Sequence, residues 1–135
     1  MVWVESMKCL SLKQPHAELL ASGKKTIELR NWNTTFRGKF LIHASKNVDA
    51  ERSESLGIDY KMLAYGAIIG TAMLYDVKEY KNKAELELDK IKHYAEIKNF
   101  GSRKYGFMVK NANRFRSSVP YRGQLNFFEV EYPAF

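Results

Sequence analysis

Residues 23–32 read GKKTIELRNW, a short stretch that carries four charged side chains among few apolar ones. Its centre alternates, because the apolar Ile27 and Leu29 are interleaved with Glu28 and Arg30. Successive side chains of a β-strand point to opposite faces, so the alternation predicts a short strand with one apolar face. On the other face, Glu28 and Arg30 are expected to be neighbours.

The charged residues Lys25, Glu28 and Arg30 have two interpretations. In the first, Glu28 and Arg30 form an exposed ion pair that orders a loop and contributes only ~0–1 kcal/mol. In the second, the three side chains line a cleft in which a carboxylate held by an arginine accepts hydrogen bonds and a lysine attracts phosphate. Spacing alone favours the exposed pair.

A helix is predicted immediately before this segment. Pro15 suits the first turn of a helix, where its missing N–H needs no partner, and Gly23 suits the left-handed position that follows a helix end. Lys24 and Lys25 then lie at the negative end of the helix dipole, which explains part of their presence.

The remaining pattern predicts an α+β domain. Strands are predicted at 7–12, 38–44, 66–77, 104–109 and 125–130, a polar helix around 48–56, and an amphipathic helix over 82–97 with Ala84, Leu88, Ile91 and Ala95 facing inward. Gly66 and Gly70 indicate a bulge or a tight corner in the third strand of that list. Because few regular βαβ units are visible, we expect a small mixed or antiparallel sheet that closes into a β-barrel, with helices packed at its rim.

The chain of 135 residues is long enough to bury one core. We expect a single domain over 7–132, preceded at 1–6 by a lead that is disordered or non-native. The longest uncharged apolar run, 62–75, is shorter than the ~20 residues that a membrane span needs, and the N-terminal residues do not resemble a signal peptide. The expected localisation is therefore cytoplasmic, with no membrane partner.

Charge points to a polyanionic partner. The formal net charge is +7 and the pI is about 9.5, and residues 101–128 contain no Asp or Glu. Basic and aromatic residues are mixed in that segment: Arg103, Lys104, Tyr105, Phe107, Lys110, Arg114, Phe115, Arg116, Tyr121 and Arg122. We expect a basic surface on one side of the domain.

Metal and cofactor chemistry lack their sequence signatures. Cys9 is the only cysteine, which excludes an internal disulfide and a cysteine-rich zinc site, and we expect it in the core. His16, His43 and His93 are far apart, so no pair has metal-ligand spacing. Phosphate-binding glycine loops and hydrolase motifs are absent from the sequence, and no metal or cofactor is expected.

Trp32 and His43 each have a structural and a functional interpretation. Trp32 is flanked by Asn31 and Asn33, so it either joins the core or offers a surface on which a base stacks. His43, at the inner end of a predicted strand, is either a structural histidine with satisfied hydrogen bonds or part of a ligand pocket.

The run SLKQPHAELLASGKKTIELRNW, followed by RGKFLIHASK and VPYRGQLNFFEVE, resembles the ASCH domain, a family of the PUA-like superfamily. The family signature GxKxxExR corresponds to Gly23, Lys25, Glu28 and Arg30. The flanking positions that also fit are Gln14-Pro15, Trp32, Arg37-Gly38, His43-Ala44 and residues 120–123, so the resemblance covers nearly the whole chain from Met7.

This resemblance implies a small PUA-like barrel with a cleft between the first helix and the following strand. It also implies binding of RNA or single-stranded nucleic acid, and a part in RNA metabolism or regulation. The residues expected to bind nucleic acid are Gln14, Lys25, Glu28, Arg30, Trp32, His43, Lys46 and Arg122.

The alternative function is an enzyme that acts on RNA or a modified nucleoside. Some small bacterial relatives are amidohydrolases of acetylated cytidine, and nuclease activity is attributed to other members. The nucleophilic threonine of those amidohydrolases corresponds to Glu28 here, and the catalytic candidates are Lys25, Glu28 and His43. A protein-interaction domain with an acidic partner is a third function class that the sequence leaves open.

Overall fold

The computed structural model describes residues 5–98, 100–102 and 104–131. The first four residues of the predicted lead, Arg103 of the predicted basic surface and Tyr132 at the predicted domain end lie outside the described residues. In chain order, the strands and α-helices are β1 (Ser6–Gln14), α1 (His16–Ala21), β2 (Ile27–Arg30), β3 (Gly38–Val48), α2 (Ala50–Ser55), β4 (Ala67–Glu79), α3 (Lys83–Leu88), α4 (Lys90–His93), β5 (Tyr105–Pro120) and β6 (Phe127–Glu131). Short 3-10 helices cover Tyr60–Met62 and Phe100–Ser102.

The six strands form one mixed sheet in the order β2-β5-β4-β3-β1-β6. β1 runs parallel to β3, and the other neighbouring pairs are antiparallel. A mixed sheet with short helices confirms the α+β class. The predicted closure into a barrel is not found among the described residues, because β2 and β6 lie at opposite edges of the sheet.

Aromatic side chains pack where a barrel would close. Phe107 of β5 and Phe127 of β6 stack with ring centroids 6.1 Å apart, although three strands lie between β5 and β6 in the sheet. Trp32 contacts both rings edge-on, at centroid distances of 5.1 Å to Phe107 and 5.9 Å to Phe127. The sheet therefore curls around these rings, and apolar packing takes the place of closing hydrogen bonds.

Helix α1 covers the main core of the curled sheet. Its buried residues include Ala17, Leu20 and Ala21, which pack in one cluster with residues of β1, β3, β4 and β5. Just after the helix, Gly23 has φ +82°, which confirms the predicted left-handed position. This packing fixes both ends of α1 against the sheet, so the first residue of the helix and the residues after Gly23 come close together.

Gly70 allows β4 and β5 to approach closely. A Cβ at Gly70 would lie 2.4 Å from the carbonyl oxygen of Asn113, a distance that no side chain can occupy. The pairing register of the two strands also shifts between Ile68 and Gly70. The predicted bulge in this strand is confirmed.

The helix predicted over 82–97 is broken into α3 and α4, and its predicted inward face is wrong. Leu88 and Ile91 are 81% and 75% exposed. The buried residues of the two helices are Leu86 and His93 instead. Of the other predicted inward positions, Ala84 is exposed and Ala95 packs against a core cluster.

The break occurs at Asp89, which polar contacts draw inward. The hydroxyl of Tyr80 donates to Asp89 Oδ2 over 2.6 Å, and Lys78 Nζ donates to the same oxygen over 3.0 Å. Burial alone would raise the pKa of Asp89, but these two donors lower it. Since a buried carboxylate must keep its donors, the chain turns at Asp89 and the apolar residues on either side face solvent.

Two further predictions concern β1 and β5. Cys9 lies fully buried in β1, where burial raises the pKa of its thiol to about 12, so its predicted place in the core is confirmed. The strand predicted at 104–109 continues to Pro120 as the long β5.

Across the part of the chain that the structure describes, no helix has the length and apolar character needed to cross a membrane.

Candidate functional site

Lys25 is the buried centre of a charged cluster between α1 and β2. Its side chain is only 2% exposed, and its ammonium donates to His16 Nδ1 over 2.9 Å and to Glu28 Oε1 over 2.7 Å. Because an ammonium has only donors, His16 Nδ1 is the acceptor and carries no proton. Because Lys25 is buried in this cluster, the helix dipole does not explain its presence. The neighbouring Lys24 is exposed, so the dipole explanation still applies to that residue.

Glu28 joins Lys25 to Arg30. Arg30 Nε donates to Glu28 Oε2 over 2.9 Å, so each carboxylate oxygen has a cationic partner. Arg30 Nη2 donates to the backbone oxygen of Ser11 over 2.9 Å. Since Arg30 ends β2 and Ser11 lies in β1, this bond ties one edge strand of the sheet to the strand next to the other edge.

The cluster keeps Glu28 ionised. Burial alone would raise the pKa of this carboxyl, but the positive charges of Lys25 and Arg30 prevail and lower the pKa from 4.5 to about 2. Two cations and one carboxylate leave a net charge of +1. The predicted ion pair between Glu28 and Arg30 forms, but its expected exposure is wrong, because the Glu28 side chain is only 9% exposed.

One side of this cluster faces a cleft of about 610 Å³. Lys25, Glu28, Arg30 and Trp32 all line it, and Glu28 is its only acidic residue among those described. Four exposed amide side chains also line it: Asn31, Asn47, Gln124 and Asn126. Trp32 is half-buried, so one part of its ring belongs to the aromatic cluster and another part lines the cleft.

His43, Lys46 and Arg122 line a second cavity, of about 790 Å³, instead of the cleft. His43 Nε2 lies 2.7 Å from the backbone oxygen of Tyr121, and its Nδ1 lies 2.8 Å from Ser11 Oγ. A carbonyl can only accept, so His43 Nε2 donates and Nδ1 accepts from the Ser11 hydroxyl. Burial lowers the pKa of His43, which is consistent with this neutral form.

Gln14 lines neither cavity. Its side chain is fully buried, where Nε2 donates to the Ala64 oxygen over 3.0 Å and Oε1 accepts from the Glu18 N–H over 2.9 Å. The residue therefore connects β1 to α1 and to the chain before β4. Since none of its surface is exposed, Gln14 is not placed to make the predicted contact with a ligand.

The structure thus separates the predicted site residues into two groups. Lys25, Glu28, Arg30 and Trp32 line the cleft, whereas His43, Lys46 and Arg122 line the second cavity. The three catalytic candidates are accordingly not brought together, because His43 is bonded to Ser11 and Tyr121 and not to Lys25 or Glu28.

Ser11 and His16 belong to the site but carry no recognisable signal in the sequence. His16 lies nine positions before Lys25 and meets it only because α1 packs on the sheet. Ser11 contributes its hydroxyl to His43 and its carbonyl to Arg30. Among the described residues, the site included, no group of three or more His, Cys, Asp or Glu side chains could hold a metal ion.

Known proteins resemble this chain in sequence and in fold. A model of the ASCH domain matches residues 10–116. Activating signal cointegrator 1 of Mus musculus and its counterpart in Homo sapiens are each 25% identical to the chain, over 91% of it and 22% of the relative. The chain therefore spans about a fifth of the length of these curated relatives.

The solved structures that resemble the fold include the ASCH protein of Zymomonas mobilis, with a TM-score of 0.61, 17% identity, and coverage of 85% of this chain and 72% of that one. A mutant of that protein gives a TM-score of 0.60 at 18% identity, over 81% of this chain and 70% of that one. The shared fold is a six-stranded mixed sheet with a few helices. Since the family model matches well over half of its residues, the chain belongs to the ASCH domain family.

Proposed function

We propose that this ASCH domain binds RNA, or another single-stranded nucleic acid, in the cleft beside Trp32, and that it acts in RNA metabolism or regulation. The observation that carries the proposal is the combination at this cleft of a partly exposed indole ring, four exposed amide side chains and a cluster with net positive charge. Single-stranded nucleic acids are bound by stacking on aromatic rings and by positive charge along the backbone.

Each feature of the cleft matches one part of a nucleotide. The face of Trp32 supports stacking worth ~1–3 kcal/mol per base. The amide groups of Asn31 and Asn126 can donate and accept at once, which suits the hydrogen-bonding edge of an unpaired base. The exposed ammonium of Lys13, which also lines the cleft, suits a phosphate.

Basic residues outside the cleft contribute unequally to this proposal. Arg114 is engaged, because it donates to Glu18 Oε1 over 3.0 Å and to the backbone oxygens of Ile69 and Phe115. Lys46 and Arg122 are exposed and line the second cavity. The track of positive charge that a nucleic acid follows is therefore assigned to Lys13, Lys46 and Arg122, and not to the whole of the segment 101–128.

The comparisons support a role of this general kind. The chain belongs to the ASCH family, and the relatives that it matches are named activating signal cointegrator 1, a name that fits a regulatory role. The enzyme alternative gains less support from the geometry. Both oxygens of Glu28 are engaged by cations and its pKa is about 2, so it is a weak base near neutral pH.

The proposal is tested by titrating fluorescent single- and double-stranded RNA and DNA into the protein at several salt concentrations. We expect preferential binding of single strands, and an affinity that falls with salt as counterions are released. In Lys13→Ala and Arg122→Ala the slope of log affinity against log salt should each become shallower by about 0.7, the value for one lost phosphate contact on a single strand. Lys83→Ala removes an exposed lysine of α3 that lines neither cavity and should match the wild type.

Two results would contradict the proposal. The first is an absence of binding to every nucleic acid at low salt, and the second is binding that is equally weakened by Lys13→Ala and Lys83→Ala. Electrophoresis of the labelled RNA after incubation separates binding from catalysis, because a nuclease shortens the strand. Products that appear with wild type and disappear with Lys25→Arg would support the enzyme alternative.

A further inference from the structure

The cleft and the second cavity share a common rim. Four residues line both of them: Ser11, Ser45, Gln124 and Leu125. The second cavity adds the basic Lys46 and Arg122, the ring of Tyr121, and no acidic residue among those described. Two adjacent cavities with basic residues in their walls therefore meet at a boundary built from β1, β3 and the loop 121–126.

Leu125 is the apolar tip of this boundary. It is 90% exposed, the highest value among the large exposed hydrophobic residues of the described chain. Its sequence neighbours Gln124 and Asn126 are polar and exposed. A single exposed leucine is ordinary on a protein surface, but this one stands on the shared rim of the two cavities.

Contacts at both ends hold the loop 121–126 in place. The N–H of Tyr121 donates to the Gly66 oxygen over 3.1 Å, and its carbonyl accepts from His43 Nε2 over 2.7 Å. Gly123 lies directly on the Ser11 and His43 side chains, since a Cβ there would be 2.8 Å from His43 Cε1. At the far end, Phe127 is fixed in the aromatic cluster. Leu125 is thus presented by an anchored loop, which lowers the entropy lost when a ligand binds.

From this arrangement we propose that the two cavities are subsites for consecutive nucleotides of one RNA strand and that Leu125 is inserted between their bases. The inference rests on the proposed function. The first base stacks on Trp32 in the cleft, and the second enters the cavity beside Tyr121, whose ring is fixed by stacking on Phe128 at a centroid distance of 6.4 Å. The phosphate between them is assigned to Lys46 and Arg122, the basic residues of the second cavity. Apolar side chains that enter a base step unstack it, and the two aromatic contacts offset the stacking that is lost.

The test uses a short single-stranded RNA that carries two adjacent 2-aminopurine bases. When the two bases stack on each other, their exciton coupling gives a circular dichroism couplet at wavelengths where the protein does not absorb. Stacking of either base on a protein ring does not produce this couplet, so the signal reports base–base separation alone. Affinity is measured in parallel by anisotropy of a terminal dye on the same RNA.

We expect saturating wild-type protein to remove most of the couplet. Leu125→Ala should bind the RNA with an affinity within a few-fold of the wild type but leave most of the couplet intact. Leu125→Met keeps a long apolar side chain and should remove the couplet as the wild type does. Leu88→Ala is the matched control, because Leu88 is 81% exposed on α3 and lines neither cavity. It should behave as the wild type in both measurements.

Each outcome decides the inference. A couplet that persists in saturated wild type, or one that is lost equally in Leu125→Ala, overturns the insertion of Leu125 while RNA binding stands. If the anisotropy shows no binding at low salt, the proposed function fails and the subsite assignment fails with it.

Discussion

Glu28→Gln tests whether the buried cluster depends on a charged carboxylate. The substitution keeps the shape of the side chain and removes its negative charge, so the buried Lys25 and the half-buried Arg30 lose their counterion. His16 remains as a hydrogen-bond acceptor for Lys25, but it carries no negative charge. Breaking a buried ion pair by removing one partner is strongly destabilising, because the other charge stays buried without compensation.

The pKa of Glu28 gives the size of the effect. The pKa falls from 4.5 to about 2 in the folded protein, and because one pKa unit corresponds to ~1.36 kcal/mol, the ionised form stabilises the fold by about 3 kcal/mol. This contribution is complete above pH 4.5 and is lost as the pH falls toward 2, since the unfolded state takes up the proton first. At pH 3 the same relation leaves about 1 kcal/mol.

The assay is urea unfolding of wild type and Glu28→Gln between pH 7 and pH 3 at constant ionic strength. The free energy of unfolding of the variant should lie about 3 kcal/mol below that of the wild type at pH 7, and the difference should shrink to less than half by pH 3. Glu54→Gln, at an exposed position of α2, is the control and should stay within about 0.5 kcal/mol of the wild type. A difference for Glu28→Gln that is constant across this range would refute the reasoning, because the cost would then come from packing and not from charge.

Two further predictions concern the stability of the fold. Tyr80→Phe removes the donor of the 2.6 Å hydrogen bond to the buried Asp89, so the free energy of unfolding should fall by ~1–3 kcal/mol. The exposed Tyr75→Phe should have little effect, and equal losses in the two variants would contradict the explanation. Burial lowers the pKa of His43 and His93 below 6.5, so the unfolded state binds more protons just below that pH and stability should fall as the pH drops from about 6.5. Urea unfolding at about pH 7.5 and about pH 5.5 checks this sign, and a profile that rises toward acid would exclude it.

Local steric rules account for the parts of the fold that the sequence predicts. Gly23 and Gly70 are recognisable because glycine is the residue best suited to a left-handed position after a helix, and because a Cβ at Gly70 would lie 2.4 Å from the Asn113 oxygen. The alternation in β2 correctly places Ile27 and Leu29 in the core. Each of these depends on the residue itself and its immediate neighbours, so a single sequence contains the information.

Tertiary contacts account for the parts of the fold that the sequence does not predict. The apolar spacing of Leu88 and Ile91 suggests one helix, but the partners of Asp89 lie in and just after β4 and turn the chain there. Likewise, an exposed ion pair is the ordinary result for Glu28 and Arg30 at this spacing. Burial of the pair depends on α1 packing over Lys25, which no local pattern encodes.

Ser11 connects the geometry of the two cavities. Its carbonyl accepts from Arg30, which fixes the end of β2 beside the cleft, and its hydroxyl donates to His43, which in turn holds Tyr121 at the start of the loop 121–126. A buried ion pair is often no more stabilising than an apolar replacement, so stability alone is a weak reason for this chain of polar contacts. The contacts do set the distance between the charged wall of the cleft and the loop that carries Leu125. The proposed binding of two consecutive nucleotides needs that distance to be fixed, and on this proposal the buried charges serve the site as well as the fold.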